Sequence, residues 1–243
     1  MKTDRVSNPK LDLALASLDG LSVGDAFGET FFSPAGAIVK RFAERRPAPP
    51  PWFWTDDTAM AIGIVETLAK CGSIDQDELA ATFARNHSRD PMRGYGAGAR
   101  QILRQIEIGM RWQAASKGAF SGSGSLGNGA AMLDVAIDLT PGSQVRVGIE
   151  RARNLGPDIS VPTAVNALGN GMSITAPDTV PFALWNASRR IDDFEDALWE
   201  TATGMGDVDT TCAIVGGIVG AAVGRAGIPA EWLAARESLP PIT

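Results

Sequence analysis

The chain of 243 residues carries one histidine, one tyrosine and two cysteines. With His87 as its sole imidazole, it cannot build a histidine-rich metal site, and a histidine-dependent acid–base mechanism is largely excluded. Cys71 and Cys212 lie far apart and lack metal-ligand spacing, so they read as reduced, buried thiols of a cytosolic protein. Positive charge is also scarce. Twenty-two Lys and Arg stand against 28 Asp and Glu, a formal charge of −6. That balance argues against a general nucleic-acid binder, and any phosphate would have to be met locally. Long apolar runs are missing too. The longest, 213–223, is too short to span a bilayer. Met1-Lys2-Thr3-Asp4-Arg5 leads into no signal-peptide core. The expectation is a cytoplasmic protein with no membrane partner.

Strict apolar–polar alternation with β-branched residues is likewise missing, so the fold class is all-α. Helical patterns cover 11–27, 56–69, 75–84, 97–108, 130–137, 144–153, 163–168, 181–190, 194–203 and 210–225. Pro181 is expected in a first turn. Gly216, Gly217, Gly220 and Gly224 suggest close helix packing. Residues 45–51 form a proline-rich extended connector leading to Trp52, Phe53 and Trp54. Residues 117–129 are rich in Gly and Ser. Gly127-Asn128-Gly129 runs into a helical pattern and can form a backbone nest for an anion. Residues 239–243 read as a tail on the surface. His87 reads as a surface residue and Tyr95 as a core residue. No domain boundary is visible, and one domain spanning 1–243 is expected.

What is there in quantity is acid, in two places. Thr55-Asp56-Asp57-Thr58 and Asp207-Val208-Asp209-Thr210-Thr211 each head an apolar, Ala- and Gly-rich helical stretch. Asp and Thr are good N-caps, and first-turn carboxylates suit the positive helix end. Four carboxylates with threonine hydroxyls also form a hard, all-oxygen ligand set suited to Mg²⁺ or Mn²⁺. If the clusters meet, four like charges require a cation or shifted pKa values. Asp57-Thr58-Ala59-Met60-Ala61-Ile62 and Asp209-Thr210-Thr211-Cys212-Ala213-Ile214 share one style.

These clusters belong to a longer series. Gly20-Leu21-Ser22-Val23-Gly24-Asp25-Ala26-Phe27-Gly28, Trp54-Thr55-Asp56-Asp57-Thr58, Gly127-Asn128-Gly129-Ala130-Ala131-Met132 and Gly206-Asp207-Val208-Asp209-Thr210-Thr211 occur in order across most of the chain. In these segments the sequence resembles the ADP-ribosylglycohydrolase family. The resemblance implies a compact orthogonal helical bundle and a hydrolase cleaving the glycosidic bond between ADP-ribose and an acceptor, either an ADP-ribosylated protein or a small molecule. It implies two Mg²⁺ or Mn²⁺ ions held by Thr55, Asp56, Asp57, Asp207, Asp209 and Thr210. Glu29, Asp56 and Asp209 would be catalytic. Relatives place their acidic residue either here or at the position of Phe32. Ser125, Gly127, Asn128 and Gly129 would contact the pyrophosphate and neighbouring ribose. Asp25 would tie the first helix to the site by hydrogen bonds.

Two departures stand out. Leu133 occupies a position where the family has arginine, and leucine makes no bidentate polar contact. The sequence from Asp138 to Gln144 passes over a segment that the family fills with further helices, an apparent internal deletion. Impaired turnover is therefore expected. The alternatives are a non-catalytic ADP-ribose-binding remnant and a Mg²⁺-dependent phosphoesterase.

Overall fold

The computed structural model describes residues 8–119, 127, 143–156 and 158–242. Twelve α-helices lie within that set: α1 (Pro9–Glu29), α2 (Ala35–Glu44), α3 (Asp56–Cys71), α4 (Gln76–Arg89), α5 (Ala97–Glu107), α6 (Trp112–Gly118), α7 (Gln144–Asn154), α8 (Val161–Leu168), α9 (Ala176–Arg189), α10 (Phe194–Thr203), α11 (Val208–Val223) and α12 (Ala230–Ala235). Among the described residues β-structure amounts to two isolated bridges, Trp52 with Arg236 and Gly127 with Thr175. The fold is all-α. No helix among these is long and apolar enough to cross a membrane.

Helix ends follow local chemistry. Asn8 caps α1 ahead of Pro9, and Asp75 caps α4 by accepting from Glu78 N. Thr55 caps α3, and Gly72 closes it in the left-handed conformation, φ 72°. Such caps satisfy backbone groups that have no partner inside the helix.

The pair α1–α11 forms the centre of the bundle and the most extensive helix interface. Its closeness comes from glycine. A Cβ built on Gly24 would lie 2.1 Å from the carbonyl oxygen of Cys212, and one on Gly28 would lie 2.6 Å from Asp209 Cα. Gly216 and Gly220 face Gly20 in the same way. This seam fixes the last turn of α1 against the first turn of α11. Around it the core is aromatic. The Phe27 ring stacks on Trp232 at 4.7 Å and meets Phe31, Trp52 and Trp199. A smaller core of Ala152, Ala164, Leu168, Phe182 and Trp185 joins α7, α8 and α9.

The structure differs from the sequence reading in several places. Helices α2, α6 and α12 have no counterpart in that reading; all three are short, ten residues or fewer. Helix α9 begins at Ala176, so Pro177 occupies its first turn and Pro181 lies inside it. A Cβ on Gly148 would touch the Pro181 ring at 2.5 Å, so Pro181 packs against α7. Gly224 ends α11 with φ 68° and nothing near its Cβ position. It stops the helix and does not pack it. His87 is buried, its ring edge-on to Tyr95 and its Nδ1 2.6 Å from Glu107 Oε1. Cys212 is buried, but Cys71 is exposed at the end of α3. Leu239 and Ile242 pack partly onto the core, so the C-terminal segment is not purely a surface tail. The expected helix at 130–137 lies outside the described residues.

Candidate metal centre

Three helix ends meet at one point. Asp25 sits in the last turns of α1, Asp56 and Asp57 open α3, and Asp209 opens α11 behind its N-cap Asp207. One carboxylate oxygen each from Asp25, Asp57 and Asp209 lie within 4.8 Å of one another. The glycine seam brings Asp209 to α1. Hydrogen bonds bring α3 there. Asp25 Oδ2 accepts from Thr55 N at 2.9 Å, Thr58 N at 3.1 Å and Thr58 Oγ1 at 2.6 Å, and Oδ1 accepts from Thr55 Oγ1 at 2.9 Å. The Asp25 carboxylate is thus committed to holding the first turn of α3.

Asp57 and Asp209 differ. Asp57 Oδ2 and Asp209 Oδ1 are buried and have no hydrogen-bond partner. Leaving such atoms unsatisfied is costly, most of all for charged groups. Burial raises the pKa of Asp209 to about 8, with the charges of Asp207 and Asp25 adding to it. Burial raises that of Asp56 to about 6, with Asp207 adding and Arg100 opposing. Asp57 is pushed well up by burial and then by Asp25, Asp209, Asp56 and Asp207. Asp25 rises to about 6 through burial, against the four hydrogen bonds it accepts. The two acidic clusters therefore do meet. Their fully ionised form requires positive charge, and hard oxygens with orphaned lone pairs fit Mg²⁺ or Mn²⁺.

Asp56 and Asp209 open into a cleft of about 380 Å³ whose lining also includes Glu29 and Thr55. Phe53 and Met92 form an apolar part of its wall and are largely exposed. Glu29 is held above its ordinary pKa by partial burial and then by Asp56. Thr210 is buried beside Asp209, and Asp207 is half-buried. Phe32 is exposed and is not part of this lining. Of the glycine-loop residues, Gly127 bridges Thr175. Ser125, Asn128, Gly129 and Leu133 lie outside the described residues. The Gly169-Asn170-Gly171 turn supports the second cluster. Asp207 N donates to Asn170 O at 3.2 Å, and a Cβ on Gly171 would strike Asp207 Cβ at 2.6 Å.

Sequence reasoning did not place Asp25 within the carboxylate group itself, because nothing in its spacing from residue 57 or 209 reports proximity. It gave Asn170, in a stretch that resembles the family, no role at the site, and it passed over Arg93. The repeated Gly-Asn-Gly at 169–171 was the available signal for the first.

A family model described as ADP-ribosylglycohydrolase matches residues 7–137 and 132–241. The chain belongs to the ADP-ribosylglycohydrolase family. It is similar to human ADP-ribosylhydrolase ARH3, 36% identical over 90 residues that cover 36% of this chain and 24% of that protein. The match thus spans about a quarter of that relative. It is similar over more of its length to the ADP-ribosyl-[dinitrogen reductase] glycohydrolase of Rhodospirillum rubrum, at 26% identity over 91% of this chain and 89% of that one. The ADP-ribosylarginine hydrolase Tri1 of Pseudomonas putida is 24% identical over 92% and 74%. A solved structure titled an ADP-ribosylglycohydrolase-related protein complex shares the fold, with a TM-score of 0.56 at 24% identity over 94% and 93% of the two chains.

Proposed function

We propose that the chain, acting as one domain, is a divalent-metal-dependent hydrolase that releases ADP-ribose from an acceptor, with turnover impaired relative to longer members of its family. The observation that carries this reading is the pair of buried, unpartnered oxygens on Asp57 and Asp209, grouped with Asp25 and reached from the cleft that Asp209 lines. Thr55, Asp56, Asp57, Asp207, Asp209 and Thr210 would hold two Mg²⁺ or Mn²⁺ ions. Bound there, the ions supply the charge that keeps the aspartates ionised and polarise ribose hydroxyls.

The protein's own groups do the rest. Asp25 holds the α3 turn through Thr55 and Thr58. Glycoside cleavage passes through an oxocarbenium-like transition state, and a nearby carboxylate takes the proton of the attacking water. Glu29, Asp56 and Asp209 face the cleft and are the carboxylates placed to take that proton. Gly127, with Ser125, Asn128 and Gly129, would meet the pyrophosphate through close backbone approach. The substrate is an ADP-ribosylated protein or small molecule; two relatives are named for acting on ADP-ribosyl-[dinitrogen reductase] and on ADP-ribosylarginine.

Impaired turnover follows from Leu133 and the short 138–144 connection. Two observations support a deletion, the first of them at this position. The family model matches in two pieces that meet at 132–137. The alignment with the Rhodospirillum enzyme covers 268 residues, more than the 243 of this chain. Without that segment the transition state is held less tightly, which lowers the rate even where ground-state binding persists.

Titration with Mn²⁺ should show saturable binding that Asp209→Ala abolishes. An ADP-ribosylated peptide should release ADP-ribose, more slowly than from the Rhodospirillum relative. Equal rates would refute the impairment. Binding without product would make the chain a non-catalytic ADP-ribose binder, and AMP with ribose phosphate as products would make it a phosphoesterase.

A further inference from the structure

We infer that Arg93 is a positioning residue for residues 54–56, the segment that leads into the acidic first turn of α3, and that Glu237 near the C-terminus holds it in that role. The inference rests on the metal reading above but concerns residues outside the acidic clusters. Arg93 lines the cleft beside Asp56, where an arginine invites a reading as a phosphate ligand. Its hydrogen bonds say otherwise. Nε donates to Asp90 Oδ2 at 2.7 Å. Nη1 donates to Trp54 O at 3.0 Å and Glu237 Oε2 at 2.6 Å, and Nη2 donates to Glu237 Oε1 at 2.8 Å. Four interactions occupy a group with five N–H donors, and two carboxylates offset its charge.

The same residue grips residues 54–56 in two further ways. Its guanidinium carbon lies 3.4 Å from the centroid of the Trp54 ring. Its carbonyl oxygen accepts from Asp56 N at 2.6 Å. The next residue, Gly94, has φ 91°, and a Cβ there would stand 3.3 Å from Asp56 Oδ1. Arg93 therefore sets the path of residues 54–56 through backbone, ring face and carbonyl together. Glu237 is anchored in turn, because Glu237 N donates to Trp52 O at 2.8 Å and Trp52 N to Ala235 O at 2.8 Å. Three segments distant in sequence, 52–56, 90–94 and 235–237, are tied at one guanidinium. A planar fork makes these bonds simultaneously, and a lysine ammonium does not.

The test compares Mn²⁺ affinity, followed by the electron paramagnetic resonance of free and bound Mn²⁺, in wild type, Arg93→Lys, Arg93→Met, Glu237→Gln and Asp57→Asn. Circular dichroism checks that each is folded. Support groups behind metal ligands typically change affinity by about 10-fold or more. Arg93→Lys and Arg93→Met should both weaken Mn²⁺ by about that factor, with lysine giving no rescue, and Glu237→Gln should weaken it to a smaller degree. If the Arg93 variants fail to fold, Glu237→Gln decides alone. Wild-type affinity in folded Arg93→Lys or in Glu237→Gln, with binding abolished in Asp57→Asn, would overturn this inference and leave the metal reading intact. No Mn²⁺ binding by the wild type would overturn both.

Discussion

Replacing Gly28 by alanine tests how the helix seam supports the carboxylate cluster. Gly28 lies in the last turn of α1 and faces the head of α11. An added Cβ would be 2.5 Å from Val208 O, 2.6 Å from Asp209 Cα and 2.8 Å from Asp209 N. All three are backbone atoms, so no rotamer change relieves the clash. The helices must part by about 0.9 Å to restore ordinary van der Waals separation. Overpacking of this kind costs about 2 kcal/mol. At this chain length that lowers Tm by about 4–8 °C. The displaced segment carries Asp209, so Mn²⁺ affinity should fall by about 10-fold as well. Scanning calorimetry and Mn²⁺ titration measure the two effects. Gly118→Ala is the control: it closes α6 with nothing within 4 Å of its Cβ position and should leave Mn²⁺ affinity unchanged without lowering Tm. A Gly28→Ala protein with wild-type Tm and Mn²⁺ affinity would refute the reasoning.

Further outcomes follow from the same site. Burial raises Asp25 and Asp56 to about 6 and Asp209 to about 8, from the ordinary aspartate value of 3.8. In this window these aspartates hold more protons in the folded, metal-free chain than in the unfolded one, so their contribution to stability is full below about pH 4 and is lost as pH rises toward 8. Thermal melts in chelator should show that decline and excess Mn²⁺ should flatten it; a metal-free protein most stable at pH 8 would contradict it. Gly127→Val should weaken ADP-ribose binding in calorimetry by blocking backbone approach, and unchanged affinity in the folded variant would move the phosphate site elsewhere. Asp25→Asn should lower Tm by several degrees, because an amide cannot accept all four hydrogen bonds from Thr55 and Thr58. A Tm equal to wild type would show that the α3 turn is held by other interactions.

Much of this protein was determined by the sequence alone, where local chemistry suffices. Thr55 and Asp75 cap helices, Gly72 ends one, and α10 has the span that its pattern implies. Family membership was legible too, because short acidic and glycine motifs keep their order whatever happens between them. Helices α2, α6 and α12 were not legible, since none exceeds ten residues and such lengths are marginal without tertiary packing. Pro181 misled, because its ring breaks an isolated helix but here packs against α7. The site depended still more on the tertiary structure. The spacing of residues 25, 57 and 209 says nothing about distance. A glycine seam and four hydrogen bonds to one buried aspartate bring them together. His87 was buried by its pairing with Glu107 and Tyr95, which no local pattern encodes. Arg93 reads in the sequence as one more cation. Only the fold, by placing Trp54 and Glu237 on either side of it, gives its planar fork partners from three distant segments.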